Sequence, residues 1–264
     1  MANSNEKTGA RAKAAAARAA EQASERRRRQ FIIFGSVLAV IVVVVGIGIL
    51  VQHGKSGNDT TLGTGPVVTP SGAVGTDGLA IPFGGNASAK VTLTIYEDYR
   101  CPVCKAAESQ LESIYKTRAE AGKIEVQYHI VNLIDRNDGG TGSIRAGSAA
   151  ACAQTAGKFE PYHDVLYANQ PDETDDAFGS TGTLISLAKQ VPGLDTPAFE
   201  SCVNATRYGS WVVANFNSLS KILGGSVATP YYAINGKQYV ISGQTPAAAQ
   251  AAFGSALDAA IAAA

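Results

Sequence analysis

The chain has 264 residues, with 22 Lys plus Arg balanced by 22 Asp plus Glu, and 45% of it is hydrophobic. That is enough for one to two globular domains and too apolar for a disordered chain. The lack of a basic excess argues against a dedicated nucleic-acid binder, and four cysteines are too few for a disulfide-dense mini-scaffold.

The balance conceals a split. Residues 1–30 hold eight Lys/Arg and three Glu, a net +5, which leaves 14 basic and 19 acidic residues, a net −5, for the rest. The basic tail ends in Arg26, Arg27, Arg28 and Arg29 and runs directly into FIIFGSVLAVIVVVVGIGILV at 31–51. A helix of these uncharged residues would span about 30 Å, the hydrocarbon thickness of a bilayer. The positive-inside rule then keeps 1–30 in the cytoplasm and sends 52–264 out of the cell. The run is longer than a signal-peptide apolar region and no A-x-A site follows it, which favours an uncleaved single-pass anchor in the cell membrane over a cleaved leader. Residues 52–78, rich in Gly, Ser, Thr and Pro, read as a flexible extracytoplasmic linker.

Residues 79–264 form the outer domain. Residues 90–98 (KVTLTIYED) predict a strand, 104–121 a helix stopped by Gly122, and 124–134 (IEVQYHIVNLI) a second strand, together a βαβ unit with a parallel strand pair. A stretch of helix formers follows, with helices predicted over 143–155, 159–170, 183–190, 196–205 and 208–223, an insertion at about 140–223. Strands at 231–235 and 238–242 flank Asn235-Gly236, a strong hairpin signal. A last helix runs over 246–262, opened by Pro246. The fold class is therefore α/β: βαβ, an all-helical insertion, then ββα.

All four cysteines, Cys101, Cys104, Cys152 and Cys202, fall in this outer domain, where disulfides persist. Cys101 and Cys104 form a C-x-x-C between the first strand and its helix. Cys101 would stand at the N-cap and Pro102 at the first helical position, so free backbone N–H groups and the positive end of the helix dipole face the Cys101 sulfur. Both favour thiolate, and Cys104, one turn on, is placed as the resolving thiol. Arg100 and Lys105 flank the pair and could add to the same field. A zinc site is the alternative, but no second C-x-x-C accompanies the first, and no metal is expected. Cys152 and Cys202 lie on different helices of the insertion and read as a structural disulfide, with a second redox relay as the other possibility. His53, His129 and His163 show no metal-ligand spacing and read as structural, Trp211 reads as core, and no cofactor motif is present.

Three segments carry a family resemblance: IPFGGNASAKVTLTIYEDYRCPVC at 81–104, GKFEPYHDVLYANQ at 157–170 and GGSVATPYYAINGK at 224–237. They resemble DsbA-like thiol:disulfide oxidoreductases across residues 79–264. The resemblance implies a thioredoxin fold with a helical insertion and a cis peptide before Pro230, which frees the backbone of Thr229 to pair with substrate. Many relatives carry a buried acid six residues before the first cysteine. Here that position is Ile95, and Glu97 and Asp98 are the candidates to relay a proton to Cys104. Relatives that are strong oxidases often have Pro-His between the cysteines, and this chain has Pro102-Val103. The implied function is a membrane-anchored oxidase that donates disulfides to exported client proteins and is reoxidised by a DsbB-like or vitamin K epoxide reductase-like membrane partner. A reductase or isomerase using the same site, and a non-catalytic binding domain, are the alternatives.

Overall fold

Period-two alternation governs the central strands. The computed structural model describes residues 62–75, 77–84 and 89–264, all within the second of two units, Met1–Gly54 and Lys55–Ala264. In β2 (Val91–Glu97) the side chains of Val91, Leu93 and Ile95 are buried, and in β3 (Ile124–Ile130) those of Ile124, Val126 and Tyr128. The two strands run parallel, Val91 opposite Ile124 and Glu97 opposite Ile130. Between them lies helix α1 (Pro102–Glu120). Residues rich in Val, Ile and Tyr with one face buried suit a pleated sheet.

The sheet has five strands in the order β1-β3-β2-β4-β5. Strand β1 (Ile81–Phe83), not predicted from the sequence, pairs antiparallel with β3. It is short and contains Pro82, which lacks an N–H and so suits an edge. Strand β4 (Tyr231–Ile234) pairs antiparallel with β2 and with β5 (Lys237–Tyr239). Asn235 (φ 49°) and Gly236 (φ 76°) supply the two positive-φ residues that the hairpin turn requires. The second hairpin strand stops at Tyr239, short of the expected 242.

Strand β3 is also shorter than expected. Val131 N–H donates to the Glu97 carbonyl (2.8 Å) and Ile134 N–H to the Asp98 carboxylate (2.9 Å), which turns the chain into helix α2 (Leu133–Asp138). The helical insertion therefore starts at Leu133, earlier than 140, and continues through α3 (Gly142–Thr155), α4 (Phe159–Ala168), α5 (Thr181–Ala188), α6 (Pro197–Asn204) and α7 (Gly209–Ile222). Helix α3 is buried from Gly142 to Ser148 except Arg145, and wholly so from there to Ala153. Its small residues allow this: a Cβ on Gly147 would meet Val212 at 2.8 Å and Ile130 at 2.9 Å. Ser180, Thr196 and Thr245 cap α5, α6 and the final helix α8 (Pro246–Ala262) by accepting backbone N–H bonds.

Cys152 on α3 and Cys202 on α6 are joined by a disulfide, 50 residues apart. A closure of that length restricts the unfolded chain by about 4 kcal/mol in the chain-entropy account.

Residues 62–78 were expected within a flexible linker. They are instead bound to the helical layer. Ser210 Oγ donates to Pro66 O (2.9 Å), Trp211 Nε1 to Gly78 O (2.9 Å) and Gln154 Nε2 to Ser71 O (3.3 Å). The carbonyls of this segment need donors, and side chains at the end of α3 and the start of α7 supply them. Among the described residues no helix is long and apolar enough to cross a membrane. The expected tail at 1–30 and span at 31–51 lie outside the described residues.

Candidate active site

Helix α1 sets the position of both thiols of the C-x-x-C. Cys101 is its N-cap, with Pro102 at the first helical position. The helix start leaves N–H groups without intrahelical partners next to the Cys101 side chain. Cys101 Sγ lies 3.8 Å from the carbonyl oxygen of Thr229, and the Thr229–Pro230 peptide is cis. Both cysteines are free thiols. Cys101 is 5% exposed and Cys104 only 1%, so the first is the more reachable. Val103 between them is 60% exposed and marks the site on the surface.

The electrostatics separate the two. A hydrogen bond from Cys104 and the backbone N–H groups of Cys104 and Val103 bring the Cys101 pKa down to about 6, against the opposing effect of burial. Burial, and then the Cys101 charge, push Cys104 well above the ordinary thiol range. At pH 7 the thiolate form of Cys101 is then favoured, while Cys104 stays a thiol. Alkylation of the reduced protein by iodoacetamide should therefore rise with pH around a midpoint near 6, with mass spectrometry placing the adduct on Cys101. A midpoint above 8 would contradict this geometry.

Gln170, just beyond α4, holds the loop before the helix: its Nε2 donates to Tyr99 O (2.9 Å) and Cys101 O (3.0 Å). Gln170 was not singled out from the sequence. Its only signal is that it closes the 157–170 phrase that carries the resemblance.

The two acidic candidates part company. Asp98 accepts N–H bonds from Arg100 (2.8 Å) and Ile134 (2.9 Å), and burial pushes its pKa up to about 7. Its role is to shape the turn into α1 and the start of α2. Glu97, the last residue of β2, is wholly buried, and its Oε1 accepts from His163 Nε2 on α4 at 2.8 Å. Glu108 lies on α1 one turn after Cys104, buried, and accepts hydrogen bonds from the hydroxyls of Tyr115 and Tyr232. Burial first, and then the Glu97 charge, raise it to about 8. Glu97, Glu108 and His163 each place one ligand atom within 4.8 Å of the others. Neither Glu108 nor this partnership of His163 was legible, because the partners are 11 to 66 residues apart and on three elements. Ile95 is part of the hydrophobic core.

Arg100 does not face the thiols. It is 2% exposed and its guanidinium bonds Asp135 (2.7 Å), Asp176 (3.1 Å), Gly139 O (2.9 Å) and Glu173 O (2.9 Å). The carboxylates of the insertion draw the charge away from Cys101. His129 is structural: it stacks on Tyr96 and bonds Asn215 Oδ1 at 2.8 Å. Trp211 is wholly buried in the core.

Comparison with known proteins agrees with this architecture. The thioredoxin family model matches residues 80–259. The chain is 26% identical over 157 residues to disulfide bond formation protein D of Bacillus subtilis (strain 168), over 59% of this chain and 68% of that protein. Its structure is similar to oxidised BdbD of Bacillus subtilis, with 22% identity, a TM-score of 0.56 and coverage of 75% of this chain and 100% of that one. It is also similar to MdbA of Corynebacterium diphtheriae, a thiol-disulfide oxidoreductase, with 22% identity, a TM-score of 0.55 and coverage of 76% and 97%. At these identities the structural likeness is one of fold.

Proposed function

The chain belongs to the thioredoxin family, whose model spans residues 80–259, and from that premise we propose that it is a membrane-anchored, extracytoplasmic thiol:disulfide oxidoreductase that donates disulfides to exported proteins. The observation that carries the reading is the pair of unlike thiols at the start of α1. Cys101, at the N-cap position, is a thiol of lowered pKa beside the carbonyl of Thr229 and the cis peptide of Pro230, and Cys104 is a buried thiol of high pKa.

In the oxidised enzyme the two sulfurs form a disulfide. A client thiolate attacks Cys101 Sγ, the S–S bond breaks, and Cys104 leaves and takes up a proton. A second client thiolate then attacks the client sulfur of the mixed disulfide, and Cys101 leaves as the thiolate. The client has lost two electrons and formed one disulfide, and the enzyme has gained two electrons. A leaving group of low pKa departs faster, so Cys101 favours this second step. The Thr229 carbonyl is positioned to accept a client backbone N–H.

The anchor is supported by the uncharged run at 31–51 and the arginines before it. The same topology puts the thiols where clients fold, and it requires a membrane reoxidant, DsbB-like or vitamin K epoxide reductase-like. A reductase or isomerase with the same site is the second reading, favoured by Val103, since a valine offers no imidazole to stabilise the thiolate.

The reduction potential separates the two. The full chain in detergent, equilibrated against glutathione with the Cys101–Cys104 state read by mass, is expected well on the oxidising side of thioredoxin's ~−270 mV, toward DsbA's ~−120 mV. A value at or below ~−270 mV would assign it to the reductase class.

A further inference from the structure

The Glu97–Glu108–His163 cluster has features that a proton-shuttling or purely structural role leaves unexplained. Two carboxylates and an imidazole are buried together under α1, with one ligand atom of each within 4.8 Å of the others. Glu97 Oε1 bonds His163, but Glu97 Oε2 is buried with no hydrogen-bond partner among the described residues. A wholly buried carboxylate oxygen without a partner is a costly arrangement.

The surrounding groups orient two of the three side chains. His163 Nδ1 lies 3.3 Å from Asp164 Oδ1. An N–H donated there leaves Nε2 as the ring nitrogen aimed at Glu97, the orientation that second partners impose on imidazole ligands in metal sites. The hydroxyls of Tyr115 and Tyr232 steady the Glu108 carboxylate in the same way. A cleft of about 210 Å³ reaches Glu108 and His163 and is also lined by Glu112 and Asp164.

A neighbouring set, Glu112, His163 and Asp164, also brings ligand atoms together. That set already holds a cation, since Lys116 Nζ lies 2.6 Å from Glu112 and 3.0 Å from Asp164. The inner set has no such lysine.

We propose that Glu97, Glu108 and His163 form a binding site for one divalent transition-metal cation, with Zn²⁺ as the probe. Imidazole with carboxylates selects borderline cations over Ca²⁺ or Mg²⁺. Ligand atoms around a tetrahedral zinc, each at ~2.0–2.2 Å, stand about 3.4 Å apart, so the Glu97–His163 pair at 2.8 Å must open slightly and the other separations, now within 4.8 Å, close by up to about 1.4 Å. Metal ligands bind deprotonated, so binding is expected to release protons. From spacing along the chain no metal is expected, because residues 97, 108 and 163 meet only in the fold.

The test uses the full chain in detergent, oxidised so that Cys101 and Cys104 are a disulfide and supply no thiolate. Its outcome is therefore independent of the redox assignment. Calorimetric titration with Zn²⁺ is expected to give one saturable equivalent per chain. Glu108→Gln and His163→Gln should each weaken it at least tenfold while Glu112→Gln leaves it within twofold. X-ray absorption of the zinc-loaded wild-type chain, which needs no variant to fold, should show nitrogen and oxygen ligands only, including one imidazole. Absence of saturable binding, affinity indifferent to Glu108→Gln and His163→Gln, or a zinc spectrum lacking imidazole would overturn the site.

Discussion

Cys101→Ser is expected to abolish disulfide transfer to a reduced client, leaving only the uncatalysed rate. The change replaces one sulfur by an oxygen in a side chain of similar size at the N-cap position, where the cysteine makes no side-chain cap bond, so α1 and the Cys152–Cys202 disulfide should be untouched. What it removes is the only sulfur both reachable and held as thiolate, since Cys104 is 1% exposed and of high pKa. Cys104→Ser should act differently. Its Cys101 thiolate attacks the disulfide of an oxidised client, one client sulfur leaves as thiolate, and the mixed disulfide persists because the internal thiol that would expel the client is gone. Reductant-sensitive adducts should then accumulate on non-reducing gels. Client thiol loss measured over time separates the cases. A Cys101→Ser chain that keeps more than half the wild-type rate would refute the mechanism. So would a Cys104→Ser chain that forms adducts no faster than the double mutant.

Much of this site was legible because its chemistry is local. Strand, C-x-x-C and helix follow one another within thirty residues, and an N-cap with proline after it is read from two adjacent letters. The Asn235-Gly236 hairpin is equally local, and the helices of the insertion announce themselves by composition. What escaped is set by contacts between distant residues. The run IEVQYHIVNLI has the same apolar character on both sides of Ile130, and only the Glu97 carbonyl and Asp98 carboxylate end the strand there. Residues 62–78 have the composition of a tether and become ordered through Ser210, Trp211 and Gln154, more than seventy residues away. The three-residue β1 carries no period to detect. Glu97 stands out in sequence because it lies two residues beyond Ile95 on the same strand face, but its partner is His163, which spacing could not reveal.

Arg100 illustrates the same limit and gives the largest expected stability effect. In sequence it adjoins Cys101 and reads as an electrostatic helper. In the fold it is a buried fork joining the active-site loop to the insertion. Its two nitrogens reach Asp135, Asp176, Gly139 O and Glu173 O. Asp135 and Asp176 in turn accept N–H bonds from Ser143, Ile144, Thr141 and Gly142, so they organise the start of α3. Arg100→Met should cost about 3–5 kcal/mol, because removing one member of a buried ion set strands the others without compensation. For a domain of this size that lowers the melting temperature by at least about 6 °C. Burial already raises the Asp135 pKa, and without the guanidinium it rises further. A carboxyl whose folded pKa exceeds its unfolded value gives stability that is present at low pH and lost as pH rises through the folded pKa. The deficit of Arg100→Met should therefore be smaller at pH 5 than at pH 8. Near-UV circular dichroism melts at the two pH values read both quantities. Arg100→Lys should recover less than half of the loss, because an ammonium cannot span four acceptors that a planar fork reaches together. A melting temperature within 2 °C of wild type for Arg100→Met would show that the network stabilises little.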